Sequence, residues 1–125
     1  MTVALRFQAA PEHVRTARLV AVAVARRAGM DEVRLDEIRL AVGEMCARAV
    51  RRSLQCADGT RPGDVLVELD DQGPTLDVVV TDSADVGEVE EESVSLPLVR
   101  GLADAVTVEA GPGGPGGRVR MLWAR

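Results

Sequence analysis

The stretch from Leu35 to Ala49 constrains the fold more than any other part of this chain. Leu35, Ile38, Ala41, Val42, Met45 and Ala49 recur at steps of three and four, which lays them along one side of an α-helix. A helix that opens near Asp31 or Asp36, either of which can cap it, and ends around Leu54 has to bury that side against another layer. Two charges break the stripe. Glu44 and Arg48 stand four positions apart, a spacing that puts both on one helix face and lets them pair.

The rest of the chain supplies the layer. "VALRF" (3–7) alternates as a short strand does, and a second amphipathic helix opens at Pro11 and Glu12. That helix runs through Val14, Ala17, Ala21, Val24 and Ala28 and stops at Gly29, a natural residue just past a helix end. "VLVEL" (65–69) and "TLDVVV" (75–80) read as a hairpin, followed by an acidic loop at 82–93. "LPLVRGLAD" (96–104) reads as a short helix with Pro97 in its first turn, and "AVTVEA" (105–110) and "RVRMLW" (118–123) as strands. The order of elements implies an α+β fold: a two-layer sandwich with a mostly antiparallel sheet and helices on one face. At 125 residues the chain is expected to form a single domain with one core, built from Val, Leu and Ala because it holds one Phe, one Trp and no Tyr.

Several function classes lose support at this point. A net charge of −5 and the scarcity of aromatic rings disfavour nucleic acid as partner. The longest apolar run, "LVAVAVA" (19–25), is far short of a bilayer span, and the N-terminus lacks a signal-peptide core, so a cytoplasmic protein without a membrane partner is expected. Cys46 and Cys56 on one helix would lie roughly 15 Å apart, too far for a disulfide, and they do not have metal-pair spacing. Both are read as small buried or half-buried hydrophobes. His13, the single histidine, falls in an exposed first turn and is read as a surface side chain. "GPGGPGG" (111–117) runs from strand to strand. A phosphate cradle runs from a strand into a helix, so a floppy hairpin turn is expected here.

Three segments carry a resemblance: "LDEIRLAVGEMCARAV", "VVVTDSADV" and "LPLVRGLADAVTVEAGPGGPGGRVRMLW". Together they resemble the anti-sigma-factor serine kinases of the GHKL (histidine kinase-like) ATPase superfamily, element for element over almost the whole chain. The resemblance implies a Bergerat-type fold that holds ATP and Mg²⁺ between the sheet and a lid. It also implies binding to a sigma factor, phosphorylation of a serine on a STAS-domain antagonist, and self-association as a homodimer. In that pattern Glu44 occupies the place of the general base or water orienter, and Asp82 that of the aspartate reading the adenine amine.

Elsewhere the pattern is broken. Arg48 stands where an asparagine would coordinate Mg²⁺, Ala84 and Val86 replace glycines after the aspartate, and Ser93 and Ser95 replace a glycine pair before the third helix. The lid is short and acidic, with Glu88, Glu90, Glu91 and Glu92. Magnesium takes oxygen ligands, and arginine offers only donors and a positive charge. Glu44, Arg48, Asp82, Ala84, Val86, Ser93 and Ser95 are therefore read as a vestigial nucleotide site with no metal ligand set and no cofactor. The expected role is a regulatory interaction module that binds a sigma factor or a STAS-domain protein in bacterial partner switching. The alternative is an active ATP-dependent serine kinase, with Glu44 as its catalytic base and ATP and Mg as cofactors.

Overall fold

The computed structural model describes residues 2–55, 63–85 and 95–125. Strand β1 (Thr2–Gln8) leads through a 3-10 turn at Pro11–His13 into helix α1 (Val14–Arg27), and α2 follows (Glu32–Gln55). Strands β2 (Asp64–Asp70) and β3 (Thr75–Thr81), helix α3 (Ser95–Leu102) and strands β4 (Ala105–Glu109) and β5 (Arg118–Ala124) complete the order. All five strands join one antiparallel sheet in the order β1-β2-β3-β5-β4. The α+β sandwich expected from the sequence is the architecture observed.

Local chemistry sets the element ends. Pro11 starts a 3-10 turn, with His13 N–H bonding Ala10 O, and the regular helix begins only at Val14, where its apolar periodicity starts and later than the Pro11–Glu12 opening indicates. At the other end Gly29 adopts φ +88°, so its N–H reaches Arg26 O and that of Met30 reaches Ala25 O. This pair of bonds closes the helix in a Schellman arrangement. Asp31, rather than Asp36, caps α2: its Oδ1 accepts the N–H of Arg34 at 2.9 Å. Asp36 instead pairs with Arg39 in the first turns of the same helix.

The core lies between the helices and one face of the sheet. The α2 stripe of Leu35, Ile38, Ala41, Val42, Met45 and Ala49 is buried as its spacing requires. It meets Val65, Val67, Leu69, Leu76, Val78, Val119 and Met121, which alternate along β2, β3 and β5. Trp123, fully buried, donates its indole N–H to Leu102 O at 3.0 Å and fastens α3 to β5. Cys46 is buried in the same core, and burial pushes its thiol up to about 12 against a weaker pull from Arg18, so it is an inert hydrophobe. Cys56 lies outside the described residues. No described helix is long and apolar enough to cross a membrane.

Candidate functional site

The site grows from the C-terminal half of α2. Glu44, Arg48 and Arg52 follow one another at steps of four, so they project from one side of the helix, with Arg52 reaching the end of β3. There Asp82 leaves the strand, and its backbone N–H bonds Gly117 O at 2.8 Å. Both oxygens of its side chain carry a bond: Oδ1 accepts the N–H of Ala84 at 3.0 Å, and Oδ2 accepts Nε of Arg52 at 2.9 Å. Neither partner of this ion pair is more than 1% exposed at its side chain. Burial pushes the Asp82 carboxyl above its ordinary range, against the Arg52 and Ala84 bonds that favour its ionised form.

The glycine-rich connection between β4 and β5 closes the arrangement. Arg48 Nη1 donates to Gly116 O at 2.9 Å, and Arg52 Nη2 donates to Pro115 O at 3.1 Å. Gly116 sits at φ +76°, and a Cβ there would stand 3.2 Å from Arg52 Nη1 and 3.3 Å from Arg48 Nη2. A Cβ on Gly113 would fall 2.0 Å from Ser83 O, inside the backbone that follows β3. The segment is therefore seated on the strand end, and its carbonyl dipoles face two buried guanidiniums. The expectation of a floppy turn is corrected by these contacts. Its glycines are required because backbone lies against backbone.

A second small network sits at the start of α3. Ser95, 7% exposed, accepts a bond from Arg51 Nη2 at 3.1 Å, and its hydroxyl lies 3.4 Å from Glu44 Oε2. The expected bridge between Glu44 and Arg48 does not form among the described residues, because Arg48 turns to the Gly116 carbonyl and Glu44 faces Ser95. Among the residues singled out from the sequence, Glu44, Arg48, Asp82, Ala84 and Ser95 fall in this one region. Val86, Ser93 and the Glu88–Glu92 run lie outside the described residues. No group of three or more His, Cys, Asp or Glu side chains is placed to hold a metal among the described residues. His13 lies apart from the region, half-buried with its ring centroid 5.9 Å from that of Phe7.

Arg52 is the residue that sequence reasoning missed. Its signal was present: position 52 continues the 44, 48 series by one helical turn, which places a third charge on the face already carrying two.

Comparison with known proteins puts these features in context. The model of the histidine kinase-like ATPase domain matches residues 7–123. The crystal structure of the RsbU and RsbW domains of a Mycobacterium tuberculosis protein superposes with a TM-score of 0.75 at 18% identity, covering 99% of this chain. The chain spans 32% of the length of that larger one. No curated protein matches.

Proposed function

The chain belongs to the histidine kinase-like ATPase domain family, and from that premise we propose that it is a regulatory protein-interaction module whose nucleotide binding is lost or much weakened. The proposed partners are a sigma factor or a STAS-domain antagonist, as in bacterial partner switching, and the proposed setting is the cytoplasm. The similarity to RsbU and RsbW domains supports that choice of partner class.

One observation carries the nucleotide half of the reading: the Arg52 guanidinium occupies the carboxylate of Asp82. An aspartate that reads an adenine amine must present an accepting lone pair to the open cleft. Here one oxygen takes the Ala84 N–H and the other takes Arg52, with the 115–116 carbonyls packed around the same guanidiniums. Displacing Arg52 to admit a base would separate a buried ion pair, leaving each charge without its partner, which costs about 3–5 kcal/mol before any contact to the base is made. Arg48 adds a second obstacle. A fixed cation stands where a metal ligand would be needed, and its donors cannot coordinate magnesium. The chemistry of the described residues therefore supports a site that does not take a magnesium nucleotide.

Titration calorimetry of the purified chain with magnesium and ATP tests the reading. The expected result is no saturable heat at millimolar nucleotide. Micromolar, magnesium-dependent binding would overturn it and favour the serine kinase, in which case Glu44→Gln should abolish phosphate transfer to a STAS-domain substrate.

A further inference from the structure

The sheet has a second face, turned away from the helices, and strand register fixes what it presents. Asp70, Asp77 and Leu122 form one row across β2, β3 and β5, and Glu68, Val79 and Arg120 form the next. Leu66, Thr81 and Arg118 form a third. Carboxylates thus gather at one end of the patch and guanidiniums at the other. Between them lies a depression of about 330 Å³, lined by Glu68, Asp70, Asp77, Val79, Arg118 and Arg120.

Val79 is the floor. It alternates away from the core residues Val78 and Val80, yet it is only 9% exposed, flanked in register by the longer side chains of Glu68 and Arg120. The charges around it find little compensation within the chain. Asp70 and Asp77 stand directly opposite one another, where like charges destabilise a sheet. Asp77 accepts the Thr75 hydroxyl, and among the described residues no cation lies within ion-pair distance of Glu68, Asp70 or Asp77. Arg118 donates from Nε to Thr81 Oγ1 at 3.4 Å, and Arg120 Nε stands 3.5 Å from Glu109 Oε1. Both contacts are long, and neither uses an Nη atom.

Two facing carboxylates beside two guanidiniums, over an apolar floor, suit a ligand that carries both charges. A lone anion would engage the arginines and leave Asp70 and Asp77 repelling one another. For a bare metal ion, no group of three or more His, Cys, Asp or Glu is placed to hold one among the described residues. Asp77 and Arg120 sit on neighbouring strands two residues out of register, which sheet spacings put at about 8 Å between Cα atoms. We propose that this depression binds a short zwitterion of dipeptide length. Its ammonium is received by Asp70 and Asp77, whose repulsion it relieves, and its carboxylate by the guanidinium forks of Arg118 and Arg120. The three strands involved are the inner ones of the sheet, so the charges stand on a rigid frame. The site lies on the face opposite the helices and stands apart from the nucleotide reading.

The test titrates the ¹⁵N-labelled full chain with alanyl-alanine. Its N-acetylated twin, its C-amidated twin and free alanine serve as comparisons. The expected result is saturable amide shifts centred on β2, β3 and β5, with each comparison bound about tenfold or more weakly than the dipeptide. Asp77→Asn and Arg120→Gln should each weaken the dipeptide by a similar factor. Asp77→Asn should also leave the thermal midpoint of the free protein unchanged or raised, since it removes one of two facing like charges and keeps an acceptor for Thr75. Loss of binding without loss of stability separates a ligand-holding aspartate from a structural one. Absence of saturable shifts at tens of millimolar dipeptide, shifts centred elsewhere, or equal binding of any comparison would overturn the proposal. So would wild-type binding by either variant, or a lowered midpoint in Asp77→Asn.

Discussion

Arg52 and Asp82, thirty positions apart in sequence, meet through an Nε to Oδ2 bond of 2.9 Å where water does not reach either side chain. The pair joins the C-terminal half of the longest helix to the end of a central strand. Nη1 of Arg52 finds no hydrogen-bond partner among the described residues, so the pair carries a desolvation cost that its bonds only partly offset. Such a pair is a poor stabiliser in absolute terms and a costly one to break singly.

A double-mutant cycle exposes that asymmetry. Arg52→Met leaves the Asp82 carboxylate buried opposite a thioether, and Asp82→Leu leaves the guanidinium opposite a methyl pair. Each single change should cost about 3–5 kcal/mol in denaturant unfolding. The double change removes both charges, and its stability should return to within about 1 kcal/mol of the wild type. Additive losses in the double variant would mean that the two side chains do not depend on one another.

Two glycines should respond in opposite directions to alanine. At Gly113 an added Cβ meets Ser83 O at 2.0 Å and Ala84 O at 2.8 Å, both backbone atoms that cannot rotate away. Gly113→Ala should therefore destabilise by about 1–3 kcal/mol and shift the amide signals of residues 82–85. At Gly101, inside α3, nothing lies within 4 Å of the added carbon. Gly101→Ala should raise stability by about 0.5–1 kcal/mol, because the unfolded chain loses freedom and no contact is disturbed. Thermal or chemical unfolding of the two variants side by side checks both signs.

Periodicity carried most of the fold. The α2 stripe and the alternation in β2 and β5 repeat at the spacing of their own secondary structure, so burial follows from local pattern alone. The start of α1 was less legible, since Pro11 suits the first turn of a 3-10 turn and of an α-helix equally well. The site was legible only in outline. Asp82 and Arg48 were identifiable by position, but the bond that closes Asp82 comes from a residue thirty places away, and sequence spacing does not encode such a contact. The glycine-rich turn misled for a related reason. Glycine is used equally for free loops and for close backbone approach, and only the position of Ser83 O at Gly113 distinguishes them.

Asp104 gives the clearest dependence on pH. It follows α3, and its carboxylate accepts the N–H of Ala124 at 2.7 Å and two bonds from Arg34 at 3.1 Å each, tying the start of α2 to the end of β5. The Ala124 bond first, and then Arg34, hold its carboxyl below the ordinary range. The unfolded chain has an ordinary aspartate near 3.9, so it takes up a proton before the folded protein does. The stability that this carboxylate supplies is therefore complete above that value and is lost as pH falls through the lower folded one. Its side chain is 41% exposed, so solvent screening limits the contribution to about 1 kcal/mol. Asp104→Ala should be less stable than the wild type by that amount at pH 7, with the gap narrowing only below about pH 4. Urea unfolding of both proteins from pH 7 down to 3 measures it, and a gap that stays constant across that range would show that the carboxylate's charge contributes nothing.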